Sequence, residues 1–147
     1  MILPDSIRFM FEAAGWTPQR KVTPSLPNCR SPAFRIGYEI LSQFEGLRVG
    51  RCGPGKDQAT SDIFFDPADG IYHLELGLPV LQNRDLCPIG EFHHSHGLLF
   101  IDDRWSLYFY DMVANTGLRY IGSDFIQGLH DVLFGVRPYE SDRHQSA

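Results

Sequence analysis

Residues 86–112 read LCPIGEFHHSHGLLFIDDRWSLYFYDM, a stretch that contains three short apolar runs. The runs LCPIGEF, GLLFID and WSLYFYDM are rich in aromatic and branched residues and are bounded by turn-forming residues, which is typical of β-strands. Only Asp103 and Arg104 separate the last two runs, and this is the spacing of a β-hairpin. The stretch therefore predicts consecutive strands of one sheet.

Further strand candidates lie on both sides of this stretch. LRVG (47–50) and SDIFFD (61–66) precede it, and residues 118–121 follow it as a candidate edge strand. Because side chains alternate across a strand, residues 105–110 divide between two faces of the sheet. One face is predicted to carry Trp105, Leu107 and Phe109, and the other Ser106, Tyr108 and Tyr110.

Helices are predicted before and after the strands. Pro4 to Ala14 has apolar residues at helical spacing, and a second helix has Ser31 as its N-cap, Pro32 in its first turn and Gly46 as its stop. Residues 15–31 hold three prolines and no period, which predicts a loop.

A third clear helix is predicted from an N-cap at Ser123 to a stop at Gly135. Residues 68–81 fit a short helix, although Gly77 and Pro79 would end it early.

This order predicts an α+β fold, with an antiparallel or mixed β-sheet on which two N-terminal helices and one C-terminal helix pack. A chain of 147 residues is the usual size of one domain. We expect a single domain over residues 1–136, followed by a polar, frayed tail over residues 137–147.

The charge of the chain is uneven. Residues 1–50 carry six Arg and Lys against four Asp and Glu, a net of +2, whereas residues 51–147 carry seven against fourteen, a net of -7. With two lysines and a total charge of -5, the chain is a poor candidate for binding nucleic acid. The acidic part is suited to a basic protein partner.

The three cysteines, Cys29, Cys52 and Cys87, are far apart and odd in number, so neither a disulfide framework nor a zinc ribbon is predicted. Reduced thiols fit the cytoplasm. The sequence shows no signal peptide and no apolar run of membrane-spanning length. We therefore expect a soluble, cytoplasmic protein that binds no membrane.

Two motifs invite a chemical interpretation. Residues 50–56 (GRCGPGK) match the spacing of a phosphate-binding loop, but Asp57 replaces the Ser or Thr that holds magnesium, and a strand-like run follows instead of a helix. A Gly- and Pro-rich connection between strands explains the loop better.

The second motif is the histidine cluster of residues 93–96 (HHSH). On a strand, His94 and His96 would share a face and could coordinate a metal ion, with Cys87, Glu91 or Asp102 as a further ligand. A polar turn explains the cluster equally well.

No arrangement of nucleophile and base is recognisable, so no catalytic residue, metal or cofactor is predicted. Binding, not catalysis, is the expected activity.

In the order and spacing of its short signatures the chain resembles the SUKH superfamily, in particular the third subgroup of its bacterial toxin-immunity proteins. The resemblance spans nearly the whole chain, with two departures: Phe44-Glu45-Gly46-Leu47 replaces the usual Phe-Gly-Gly-Leu, and the hairpin Asp103-Arg104-Trp105 lacks the common glycine. The matching signatures are Ala14-Gly15-Trp16-Thr17-Pro18 with Arg20, Phe44 with Gly46-Leu47, Phe65-Asp66-Pro67, Leu86-Cys87-Pro88-Ile89-Gly90-Glu91, Leu99-Phe100-Ile101-Asp102 and Leu133-Phe134-Gly135.

The resemblance implies an immunity protein, made beside a polymorphic or contact-dependent toxin, that binds and neutralises the toxin domain in the producing cell. Toxins of such systems are often nucleases or deaminases. The alternative is an intracellular regulatory or scaffold module without a toxin partner. We expect a monomer or weak dimer.

The binding face is predicted to combine acidic residues with exposed aromatic ones, as protein interfaces commonly do. The predicted contact residues are Asp69, Tyr72, Glu75, Asp85, Asp102, Asp103 and Tyr108.

Overall fold

An antiparallel sheet of seven strands forms the centre of the part of the chain that the structure describes. The structure is a computed structural model, and it describes residues 1–113, 117–137 and 140–141. Neighbouring strands in the chain are neighbours in the sheet, which is therefore a meander without crossovers. The strands are β1 (Arg48–Val49), β2 (Ile63–Phe64), β3 (Leu86–Phe92), β4 (Gly97–Asp102), β5 (Leu107–Asp111), β6 (Leu118–Gly122) and β7 (Glu140–Ser141).

Helices cover both faces of this sheet. In the described residues they are α1 (Asp5–Ala13), α2 (Pro32–Phe44), α3 (Ala68–Glu75), α4 (Pro79–Gln82) and α5 (Phe125–Phe134). The three longest, α1, α2 and α5, share one hydrophobic core with one face of the sheet, whereas α3 and α4 contribute to a second core on the other face. The predicted α+β class is confirmed, and of the two alternatives for the sheet the antiparallel one is correct.

The first core is organised by three phenylalanines that come from α1, from α2 and from the end of β2. The ring centroids of Phe11 and Phe44 are 4.8 Å apart, and those of Phe44 and Phe65 are 5.2 Å apart. All three side chains are fully buried. Burying one such side chain contributes about 1.5–3 kcal/mol, and each tilted aromatic pair adds roughly 0.5–1.5 kcal/mol.

The second core follows from the alternation of β4 and β5. Leu107 and Phe109 belong to the first core and Tyr108 and Tyr110 to the second, as the sequence predicts. Because both faces are covered by helices, every residue of β3 and β4 is buried. Leu81 of α4 is buried in the second core together with strand residues from β3 to β6.

The start of α2 is fixed by its own cap and by a residue from outside the helix. Ser31 Oγ accepts a hydrogen bond from the Phe34 backbone N–H at 3.2 Å, which confirms the predicted N-cap. Asp85, just before β3, accepts a second one from the Ala33 N–H at 2.9 Å. Its carboxylate thus satisfies a free N–H of the first turn and interacts favourably with the helix dipole.

The loop between α1 and α2 is ordered by an arginine. The Arg20 guanidinium donates hydrogen bonds to the carbonyl oxygens of Gln43 and Glu45, at 2.5 and 2.7 Å. A cation at the C-terminus of α2 is favourable for the helix dipole. Trp16, in the same loop, is buried in the first core. The predicted loop character of residues 15–31 is confirmed.

Two local predictions, the N-cap of α5 and the edge strand, need correction. The N-cap of α5 is Asp124, whose Oδ1 accepts from the Ile126 N–H at 3.0 Å, and not Ser123. The short helix predicted within residues 68–81 is confirmed as α3, which ends before Gly77 with its φ of +70°, and Pro79 then begins a second helix, α4. The strand at residues 118–121 is not an edge strand, since β6 pairs with both β5 and β7.

Most of the predicted polar tail, residues 138–139 and 142–147, lies outside the described residues, so the boundary at residue 136 stays a prediction. Gly135 ends α5 with a φ of +64°, as predicted. Among the described helices, none combines the length and the apolar character that crossing a membrane requires.

The contact between Asp85 and α2 makes a testable prediction. Asp85→Ala leaves the Ala33 N–H without its partner, so we expect the free energy of unfolding to fall by about 1–2 kcal/mol. Asp85→Asn keeps an acceptor oxygen and should recover most of this loss. Urea unfolding of the three proteins tests the role, and equal stability of the Ala variant and the wild type would contradict it.

Candidate functional site

The structure divides the seven predicted contact residues among three places. Asp69, Tyr72 and Glu75 lie exposed on α3. Asp102, Asp103 and Tyr108 lie in and beside the β4–β5 turn, where they line one shallow pocket. Asp85 is bound to the start of α2.

The turn between β4 and β5 is held together by Asp102. This residue is 6% exposed, and its Oδ1 accepts hydrogen bonds from the backbone N–H groups of Arg104 and Ser106 at 2.8 and 2.9 Å. The bonds support Trp105 in a left-handed conformation with a φ of +63°, at the turn where the resemblance to the SUKH superfamily implies a glycine. The missing glycine is thus compensated by a carboxylate.

Tyr108 is part of the same arrangement. The expectation that it is exposed is wrong, because only 3% of the residue is accessible. Its hydroxyl donates to Asp102 Oδ2 at 3.2 Å and accepts from the Arg84 guanidinium at 2.6 Å, and that guanidinium lies 4.8 Å from the ring centroid. A buried tyrosine with these partners supports the fold, and of the turn residues Asp103 and Arg104 are the exposed ones.

The residues on α3 form an apolar patch with an acidic border. Tyr72 and Leu76 are 57% and 53% exposed and lie one helical turn apart, next to Asp69 and Glu75. We call these four residues the α3 surface. The sequence analysis did not predict Leu76 as a surface residue, because a leucine at helical spacing also fits the buried stripe of a helix.

The inner side of α3 packs closely on the sheet. A Cβ atom at Gly70 would lie 2.3 Å from Pro88 Cβ, so only glycine permits this approach. The Asp66 carboxylate accepts from the Ala68 N–H at 3.0 Å and orients the start of the helix. The α3 surface is therefore presented by a rigid element.

A buried carboxyl group lies below α3. Burial, together with a hydrogen bond to the nearby Asp69 carboxyl, raises the pKa of Glu91 in β3 to about 7, against a smaller lowering by Ser95. Ser95 Oγ donates to Glu91 Oε2 at 3.0 Å. Glu91 thus links the α3 surface to the turn between β3 and β4.

The histidine cluster of residues 93–96 forms this turn between β3 and β4, and it is not part of a strand. His93, His94 and Ser95 have φ values of +56°, +54° and +65°, so three consecutive side-chain-bearing residues are left-handed. The pairing of His94 and His96 on one strand face is therefore wrong. Of the predicted supporting ligands, Cys87 lies in the core, Asp102 holds the β4–β5 turn and Glu91 binds Ser95.

Other residues approach the cluster instead. Cys52 Sγ lies 3.4 Å from Asp62 Oδ1 and 3.8 Å from His93 Nδ1, and Asp62 Oδ1 also accepts from the His94 N–H at 2.9 Å. The potential ligand atoms of Cys52, Asp62 and His94 all lie within 4.8 Å of one another. Burial raises the pKa of the Cys52 thiol, and the backbone N–H of His94 helps to lower that of Asp62, against the effect of burial.

Residues 50–56 lie between β1 and β2, and the helix that follows a phosphate-binding loop is missing after them. No helix begins after Lys56; instead the Lys56 N–H donates to the Phe134 carbonyl at 3.2 Å, and the Asp57 N–H to the Gly135 carbonyl at 2.7 Å. The loop is thus tied to the end of α5. The preferred interpretation as a connection between strands is confirmed.

A cavity of about 380 Å³ lies beside the histidine cluster. Its lining includes Phe92, His96, Phe109 and Gln58. Gln58 Nε2 is a buried donor without a hydrogen-bond partner among the described residues. The cavity is large enough for one side chain of a partner.

Asp102 and its neighbour Asp103 make a matched pair for a test of stability. Asp102→Ala removes three hydrogen bonds to a buried carboxylate, so we expect a loss of roughly 2–4 kcal/mol in the free energy of unfolding. The exposed Asp103 should change it by less than about 0.5 kcal/mol when replaced by alanine. Thermal and urea unfolding compare the two, and similar losses would contradict the assignment.

The raised pKa of Glu91 predicts a specific pH dependence. The folded state holds the Glu91 proton more tightly than the unfolded state, so this contribution to stability is complete below the ordinary pKa of 4.5 and is lost as the pH rises through about 7. In Glu91→Gln the free energy of unfolding should no longer show this loss as the pH rises. Glu75→Gln, on the exposed side of α3, should show the same loss as the wild type. Urea midpoints between about pH 5 and pH 8 measure it; parallel curves for wild type and Glu91→Gln would contradict it.

Comparison with known proteins assigns most of the chain to one family. The family model described as SUKH-3 immunity protein matches residues 3–135. No curated protein and no solved structure gives a significant match. The matched range contains all the helices and strands described above except β7.

Proposed function

The chain belongs to the SUKH-3 immunity protein family, and from this premise we propose that it binds and neutralises a cognate bacterial toxin domain in the cytoplasm of the producing cell. The protein acts as an inhibitor by stoichiometric binding, without catalysis. The toxin belongs to a polymorphic or contact-dependent system.

The observation that carries a specific binding site is the α3 surface. Exposed tyrosine is enriched among the residues that dominate binding energy, and such residues lie at the centre of an interface with polar groups around them. Tyr72 and Leu76 offer this centre, and Asp69 and Glu75 supply an acidic border. Asp103 is a separate exposed acidic residue, at the β4–β5 turn.

Charge supports a basic partner. The net charge of -7 lies in residues 51–147, which include α3 on one face and α5 on the other. Residues 1–50, with a net of +2, form α1 and α2 on the face that α5 also covers. A nuclease or deaminase domain that binds polyanions has a basic surface, and opposite charges accelerate association and orient the encounter.

Rigidity supports tight binding. The close contact of Gly70 with Pro88 and the hydrogen bond from the Ala68 N–H to the Asp66 carboxylate fix α3 before any partner arrives. A preorganised surface loses less conformational entropy on association. Immunity needs a dissociation constant on the order of 1 nM or below, which corresponds to about 12 kcal/mol.

The direct test is co-expression with the toxin-like domain encoded beside the gene. Survival of the cells together with co-purification of a stoichiometric complex supports the proposal. Death of the cells without a complex contradicts it and favours a regulatory or scaffold module that has a different protein partner.

The contribution of the α3 surface is tested by two exposed tyrosines on opposite faces. Tyr72→Ala should weaken toxin binding by about 30-fold, the equivalent of roughly 2 kcal/mol, because it removes the central aromatic anchor. Tyr38→Ala changes a 52% exposed tyrosine of α2 and should leave the affinity unchanged. Calorimetric titration of both variants measures this; a loss for Tyr38→Ala alone would place the interface on the other face.

A further inference from the structure

We propose that Cys52, Asp62 and His94 form a zinc-binding site beside the turn between β3 and β4. They offer a thiolate, a carboxylate and an imidazole, the three ligand types that zinc commonly takes from proteins. Ligands around a tetrahedral zinc ion lie about 3–4 Å from one another. The 3.4 Å between Cys52 Sγ and Asp62 Oδ1 is already in this range, and the potential donor atoms of the three residues lie within 4.8 Å of one another.

The sheet brings these residues together from distant parts of the chain. Antiparallel pairing of Val49 with Ile63 and of Ile63 with Phe92 places the end of β1, the start of β2 and the end of β3 at the same edge of the sheet. Cys52 follows β1, Asp62 precedes β2, and His94 follows β3. The His93 N–H donates to the Asp62 carbonyl at 3.1 Å and continues this pairing into the turn.

The backbone of the turn is strained at this place. Three consecutive residues with side chains, from His93 to Ser95, adopt the left-handed conformation that favours glycine. Strained conformations of this kind concentrate at ligand-binding positions. Here the strained turn places His94 next to Cys52 and Asp62. A regular hairpin turn with glycine would avoid this strain.

Surrounding groups orient the Asp62 carboxylate. The Arg48 guanidinium donates to Asp62 Oδ2 at 3.1 Å and leaves Oδ1 on the side of the sulfur. Arg48 is itself held over the Phe64 ring, 4.4 Å from the centroid. Outer groups of this kind fix metal ligands in position. A thiolate and a carboxylate together neutralise a divalent cation.

The mixed set of donors favours zinc over magnesium or calcium, which take oxygen ligands. Three protein ligands leave one tetrahedral position for water or for a group of a partner. His93, with Nδ1 at 3.8 Å from Cys52 Sγ and 3.1 Å from Ser61 Oγ, borders the site.

Metal-free protein, prepared with a chelator, is titrated calorimetrically with zinc chloride. Wild type should bind one equivalent. Loss of a group that only orients a metal ligand weakens metal binding by roughly 10- to 100-fold. Cys52→Ser and His94→Gln each remove a ligand, so each should weaken zinc binding by more than this. Two matched controls, the exposed Cys29→Ser and His96→Gln in the same turn, should bind as wild type does.

Cobalt provides a spectroscopic readout of the thiolate ligand itself. Cobalt(II) added to the metal-free wild type should give a thiolate-to-cobalt charge-transfer band, and Cys52→Ser should lack it. Zinc at about 100 times its dissociation constant should raise the melting temperature of the wild type by roughly 5 °C or more and that of Cys52→Ser much less. Absence of the band, or equal zinc affinity of Cys52→Ser and wild type, would overturn the proposal.

Discussion

The burial of β3 and β4 on both faces is the constraint on which the rest of the structure depends. Every side chain in these strands is removed from water, so the sheet needs cover on each side. The N- and C-terminal helices supply it on one face through the Phe11, Phe44 and Phe65 contacts. On the other face α3 and α4 cover the sheet. Because α3 packs against Pro88 there, its outer side, with Tyr72 and Leu76, faces solvent.

Local signals in the sequence predicted the elements well. The Ser31 cap and the Gly135 stop are where the sequence predicts them, and the alternation from Leu107 to Tyr110 matches the two cores. These features depend on residues close together in the chain. The roles of Asp102 and Tyr108 were harder to predict, because an acid in a turn usually faces solvent. The buried Tyr108 hydroxyl accepts a hydrogen bond from Arg84, which the sequence places 24 residues away.

The candidate sites show the same limit. The sequence drew attention to His94 but offered Cys87 and Asp102 as its companions, whereas the register of β2 and β3 brings Asp62, and with it Cys52, to the turn. Of the predicted contact residues, Asp69, Tyr72 and Glu75 share one helix face because they lie at helical spacing, which the sequence does contain. Glu91 connects the two regions, since it contacts Asp69 on α3 and Ser95 in the histidine turn.

Hydrogen exchange of the protein alone and bound to the purified toxin domain tests the proposed interface most directly. The account predicts that backbone amides of α3 and of the segment up to α4 exchange more slowly in the complex, while those of α1 and α2 exchange at unchanged rates. Slower exchange confined to α1 and α2, with α3 unchanged, would contradict the claim that the protein binds its partner through the acidic, tyrosine-centred surface of α3.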